Sequence, residues 1–113
     1  MERPYRQIEV QRAEDVFCVR LRKRQLNEAG VYELGDELVR LIEEDGCRKL
    51  VLSLGPEPPE CLYSVLLAKL VTAQKRLHAH KGVLKIADAG EETIAIFEAC
   101  RLKDLFDFSP GLP

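Results

Sequence analysis

The chain has 113 residues, 46% of them hydrophobic and 32% charged, a mixture that can bury a core and argues against disorder. Lys and Arg number 17 against 19 Asp and Glu, and the net charge of -2 gives no basic footprint for a nucleic-acid backbone. No apolar run approaches the ~20 residues that span a bilayer, and the charged opening MERPYRQIEVQRAED has no signal-peptide core, so a cytoplasmic protein without membrane insertion is expected.

The first elements read as a hairpin. YRQIEVQ has Ile8 and Val10 at alternating positions. DVFCVRLRKRQL puts Val16, Cys18 and Arg20 on one face and Phe17, Val19 and Leu21 on the other. Period two with β-branched residues predicts two strands, joined through the polar RAED.

Asn27 then reads as the N-cap of a helix, with Glu28 in its first turn. Val31, Leu34, Leu38, Leu41 and Ile42 recur at helical spacing. Glu33, Asp36, Glu37, Arg40, Glu43 and Glu44 fall on the opposite face, and Gly46 is the stop. Gly30 and Gly35 cost about 1 kcal/mol each relative to Ala inside a helix. Close packing on a sheet is one reason for them; a later helix start is another.

RKLVLSL is short and apolar throughout, as a central strand buried on both faces would be, and it is expected over Lys49 to Leu54. GPEPPE contains three prolines and can only be a rigid loop. A second helix is expected from about Ser64 to His80, ending before Gly82. GVLKIADA is a strand. EETIAIFEACRL is a third helix with Ile94, Phe97 and Cys100 or Arg101 at turn spacing. KDLFDF is a short closing element that admits a last turn of helix, and SPGLP is a tail. The order is β-β-α-β-α-β-α. It predicts one α/β domain over residues 1–113, with its core at about 5–108 and a tail at 109–113. Its sheet is mostly parallel, of four to five strands, with an antiparallel edge hairpin and helices packed against it.

Little in the sequence points to catalysis or metal. Cys18, Cys47, Cys61 and Cys100 are scattered without a CxxC pair, and His78 and His80 lie far from them. Buried reduced thiols are the expectation. Two histidines at i, i+2 do not share a helix face, so HAH reads as a frayed helix end. There is no Gly-rich phosphate loop and no nucleophile–base pair at telling spacing. No catalytic residue, cofactor or metal is assigned.

From about Val16 to Phe108 the chain resembles the STAS domain, the fold of bacterial anti-sigma factor antagonists. RQLNEAGVYELGDEL resembles the family's GxLDxxxAxxLxxxL stretch, RKLVLSL its central strand, and IFEACRLKDLFDF its closing segment. CLYSVLLAKLVTAQKRLHAHKGVLKIADA resembles the stretch that carries the phosphoacceptor motif Asp-Ser-Ser/Thr-Gly. Here Tyr63, Ser64, Val65 and Leu66 align with that motif, so the acceptor serine is kept and its neighbours are not. Ser53 stands where the central strand usually has Asp, and Asn27 where the first helix usually starts with Asp.

The resemblance implies a non-enzymatic switch that binds a kinase-like anti-sigma factor. Its binding face would comprise Pro58, Glu60, Leu62, Tyr63, Ser64 and Lys69, with Ser64 the candidate phosphoacceptor. Read from the residues alone, Ser64 is a helix N-cap, a role compatible with phosphorylation. Glu57 and Glu60 just upstream would repel a phosphate, and Tyr63 and Leu66 replace the residues flanking the family's acceptor; these weigh against uptake. Tyr63 suits an exposed partner anchor or a packed core residue. Glu57 and Glu60 suit a basic partner surface or a solvated pair. Two other classes compete: an accessory subunit of a lipid-transport ATPase complex, and a small nucleotide-binding α/β domain.

Overall fold

The first two strands, β1 (Ile8–Ala13) and β2 (Val16–Leu21), pair antiparallel with Ala13 opposite Val16. The turn is therefore only Glu14 and Asp15, and Arg12 and Ala13 of the expected RAED link belong to the strand. Glu14 takes a left-handed backbone, φ 58, to close it. The computed structural model describes residues 5–23, 25–55 and 63–109.

The first helix, α1 (Glu28–Glu43), starts where the sequence places it. Asn27 Oδ1 accepts the Gly30 N–H at 2.7 Å. Val31, Leu34, Leu38, Leu41 and Ile42 are all buried. Gly46, at φ 74, lets the chain leave as Cys47 N–H donates back to the Leu41 carbonyl at 3.2 Å. One residue of the polar face is misplaced by the periodicity. Glu37 is 4% exposed, and its carboxylate accepts the backbone N–H of Arg6 at 2.7 Å and of Gln7 at 2.9 Å. The segment entering β1 crosses that flank of α1, and its two N–H groups need an acceptor.

The remaining elements are β3 (Lys49–Ser53), α2 (Tyr63–Ala79), β4 (Val83–Ala87), α3 (Glu91–Ala99), a 3-10 turn at Lys103–Leu105 and β5 (Asp107–Ser109). The closing element is thus a turn followed by a fifth strand, parallel to β4, with Phe108 opposite Ile86. Three residues are too few to show a period. Phe97 of α3 fixes this end of the sheet by standing edge-on to Phe106 and Phe108, each ring centre 5.5 Å away. Thr93 and Phe97, at i and i+4, form the buried stripe of α3. Ile94 is half-buried, and Cys100 and Arg101 are exposed.

The strands stand side by side in chain order, β1-β2-β3-β4-β5, and β2 to β5 are parallel. Each parallel step goes to the next strand in the same direction. Right-handed crossovers then put all three helices on one face. Burial agrees. Phe17, Val19, Leu50, Leu52, Leu84 and Ile86 share one core cluster with Leu34, Leu66 and Phe97, while Cys18, Val51 and Ala87 stay outside it. The central strand is therefore sealed differently on its two faces. Leu50 and Leu52 lie under helices. Val51 and Ser53, each 8% exposed, lie on the other face, where no helix among the described residues packs, and are flanked in register by Cys18 and Lys85 and by Arg20 and Ala87.

Candidate functional site

A helix that follows a parallel strand begins at that strand's C-terminal end, so α1, α2 and α3 all start along one edge of the sheet. Their first turns differ. That of α1 carries Glu28 and that of α3 carries Glu91 and Glu92, each acid complementing the positive end of its helix. The first turn of α2 has no acid. Ser64 lies in it, exposed. Because α2 begins at Tyr63, Ser64 is the second helical residue and not the cap that the sequence suggested.

α2 sits on the core through Leu66, Leu70, Ala73 and Leu77, all fully buried. The opposite face presents Ser64, Ala68, Thr72 and Lys75, which fall on one stripe at helical spacing and are all exposed. Lys69 lies on the flank next to α1, half-buried. Its stem crosses Gly35, where a built Cβ would stand 2.5 Å from Lys69 Cδ and 2.8 Å from Cγ. Gly35 thus allows helix against helix, not helix against sheet. The Lys69 ammonium ends 4.6 Å from the centre of the Tyr32 ring, and Tyr32 is 46% exposed.

Of the expected binding residues, Ser64 and Lys69 lie on this surface. Tyr63 opens α2, but the position of its side chain is not described. Pro58, Glu60 and Leu62, with Glu57 and Cys61, fall outside the described residues. Sequence reasoning missed Tyr32. The available signals were an aromatic off the apolar stripe of α1 and a glycine three residues later in mid-helix.

Two polar links brace the neighbourhood. At the sheet edge, Ser53 Oγ donates to Asp88 Oδ2 at 2.6 Å, and the Leu54 N–H donates to the Ala87 carbonyl at 3.2 Å. At the far end of the helices, Glu43 of α1 meets Arg76 Nη1 at 3.6 Å and His80 Nε2 at 3.2 Å. His80, in the turn just past α2, is therefore tied to α1, and His78 is an exposed residue inside the helix, so the expected fraying is seen at neither. The His80 hydrogen bond, with the positive charges of His80 and Arg76, holds the Glu43 carboxyl below its ordinary range.

Two surface depressions of about 380 and 410 Å³ lie on the other flank of α1. Arg6 and Glu33 line both, and neither includes Ser64 or Lys69. Among the described residues there is no group of three or more metal-ligating side chains, and no helix is long and apolar enough to cross a membrane.

No family model matches the sequence, and no curated protein matches it. Solved structures do. A Thermotoga maritima protein assigned as an anti-sigma factor antagonist superposes with a TM-score of 0.75, covering 92% of this chain and 86% of that one at 16% identity. The chain has the STAS fold. An anti-sigma-factor antagonist (STAS) domain protein from Planctomyces limnophilus gives the same TM-score and identity, over 92% and 89% of the two chains. The anti-sigma factor antagonist SpoIIAA of Bacillus, in its unphosphorylated form, gives 0.70 over 93% and 89% at 10% identity. The shared STAS architecture is the five-stranded mixed sheet with three helices.

Proposed function

We propose that the chain is a non-enzymatic regulatory domain that captures a protein partner as an anti-sigma factor antagonist does. In this reading the partner is a kinase-like anti-sigma factor, the cytoplasm is the site of action, and Ser64 is the phosphoacceptor. The observation that carries the reading is Ser64 itself: exposed, in the first turn of α2, which unlike the first turns of α1 and α3 contains no acid. Free N–H groups and the helix dipole favour an anion there, and a phosphate adds about -1.5 to -2 charge at the surface a partner would meet. The likeness to SpoIIAA, whose structure is known in phosphorylated and unphosphorylated forms, supports it.

The strand order supports an interaction domain over a nucleotide binder. Ligand crevices in open α/β sheets form where strand order reverses, and β2 to β5 run in sequence without reversal. The test begins with tagged protein recovered from its native cell, with bound proteins identified by mass spectrometry. A kinase-like partner is expected. Incubation with that partner and ATP should add one phosphate at Ser64, and Ser64→Asp should bind less tightly than Ser64→Ala. Recovery of a permease complex would move the protein to the transport class. An unmodified Ser64 with equal binding of the two variants would remove the switch.

A further inference from the structure

We infer that the exposed stripe of α2 and the flank beside it toward α1 dock an acidic protein surface, through Lys75 on the stripe and Lys69 on the flank, with Tyr32 of α1 as the apolar margin. This rests on the capture function proposed above and adds the chemistry of the partner's side. Charge in this chain is segregated. The seventeen residues of α2 include Lys69, Lys75 and Arg76 and no Asp or Glu. The sixteen of α1 include Glu28, Glu33, Asp36, Glu37 and Glu43 against Arg40 alone. In a chain with 19 acids in 113 residues, a carboxylate-free helix of that length is a departure from composition.

Two of the three α2 cations have no ion-pair partner among the described residues. Arg76 has Glu43 beside it, but among the described residues no carboxylate comes within 4.0 Å of Lys69 or Lys75. Lys75 shares its exposed stripe with Ser64, Ala68 and Thr72, small residues that leave the surface flat and approachable. Lys69 is held in place. Its stem fills the groove over Gly35, and its ammonium rests on Tyr32 with N–H donors still available. Less side-chain entropy is then lost on binding. Tyr32, nearly half exposed beside it, offers the kind of fixed aromatic that anchors interfaces.

The occupant is a protein surface and not a nucleic acid. A continuous polyanion laid along α2 would also meet the carboxylates of α1, and the chain as a whole is net negative. A bounded acidic patch with an apolar margin fits both α2 and Tyr32. The arrangement also gives phosphorylation a physical effect. A phosphate on Ser64 would stand on the same stripe and face the incoming carboxylates with like charge.

The test is carbodiimide cross-linking of the full chain in its native cell lysate, which joins a lysine amine to a carboxylate already in contact. Mapped amide links should run from Lys69 and Lys75 to Asp or Glu of the bound protein. Lys49, Lys85 and Lys103, which lie elsewhere on the fold, are the internal controls. With the recovered partner purified, Lys75→Glu should weaken binding about tenfold at low salt and less at high salt, while Lys85→Glu leaves it unchanged. Links confined to the control lysines, no links at all, unchanged binding by Lys75→Glu, or nuclease-sensitive nucleic acid in place of a protein would each overturn the inference. A kinase-like partner linked elsewhere sinks it and leaves the proposed function standing. A partner of another kind linked at Lys69 and Lys75 does the reverse.

Discussion

Ser53 and Asp88 are joined by a 2.6 Å hydrogen bond that ties the end of β3 to the chain just beyond β4. Asp88 holds a left-handed backbone, φ 58, to stand there. Ser53→Ala removes the donor and should cost about 1–2 kcal/mol. Ser53→Asp, the residue that the family resemblance places at this position, sets two carboxylates together. Each then raises the other's pKa above its unfolded value. Stability of that variant should be greatest at low pH and fall as pH rises through and above the ordinary carboxylate range. Urea midpoints measured across that range check it; a flat profile for Ser53→Asp would mean that the two side chains part.

Much of this architecture was legible beforehand because local signals agreed with tertiary packing. Asn27 caps, Gly46 breaks, and the Val31–Ile42 stripe is buried as its spacing requires. What stayed hidden depends on distant chain. Glu37 looks like any solvent-facing glutamate until the Arg6–Gln7 backbone crosses it. The fifth strand is only three residues and exists because β4 offers an edge. Tyr32 and Lys69 are brought together by the approach of two helices at Gly35, which periodicity within either helix cannot show. Ser64 was singled out by family resemblance alone, since the composition and spacing around it are those of any helix start.

Glu37 yields a sharper energetic prediction. Its replacement by Ala strands two part-buried backbone N–H groups, at about 3 kcal/mol. Glu37→Gln keeps one carbonyl acceptor and should lose less. Equal loss for the two variants, measured by denaturant unfolding, would show that the side chain matters for packing and not for its oxygens.

Gly35→Ala would ordinarily add about 1 kcal/mol of helix stability. Here the new Cβ meets the Lys69 stem at 2.5 and 2.8 Å, so the change should destabilise. In a Lys69→Ala background, where those two carbons are gone, most of the penalty should vanish. Additive effects in this double-mutant cycle would contradict the packing described.

Thiol reactivity should be graded. Burial pushes the Cys47 thiol up to about 12, and Cys18 is also buried, whereas Cys100 is exposed, contrary to the expectation of uniformly buried thiols. Native protein treated with a chromogenic disulfide near pH 8 should modify Cys100 well before Cys18 or Cys47. Rapid modification of Cys47 would indicate that the α1–β3 connection opens easily.

The last prediction separates the structural role of Ser64 from its regulatory one. An N-cap serine replaced by Ala costs about 1 kcal/mol. Ser64 is the second residue of α2, past the cap, and it is exposed. Its replacement by Ala should therefore change stability by no more than about 0.5 kcal/mol. Ser64→Asp adds a negative charge to a first turn that has none and should stabilise the helix by about 0.3–1 kcal/mol, an effect that fades with added salt. Denaturant unfolding of the two variants at low and high ionic strength reads this directly. The combination to look for is an Asp variant that is at least as stable as the native chain and yet binds its partner less tightly. Stability and affinity would then move in opposite directions, which a merely damaged helix could not produce. A loss of 1 kcal/mol or more in Ser64→Ala would instead show that the hydroxyl caps α2 after all.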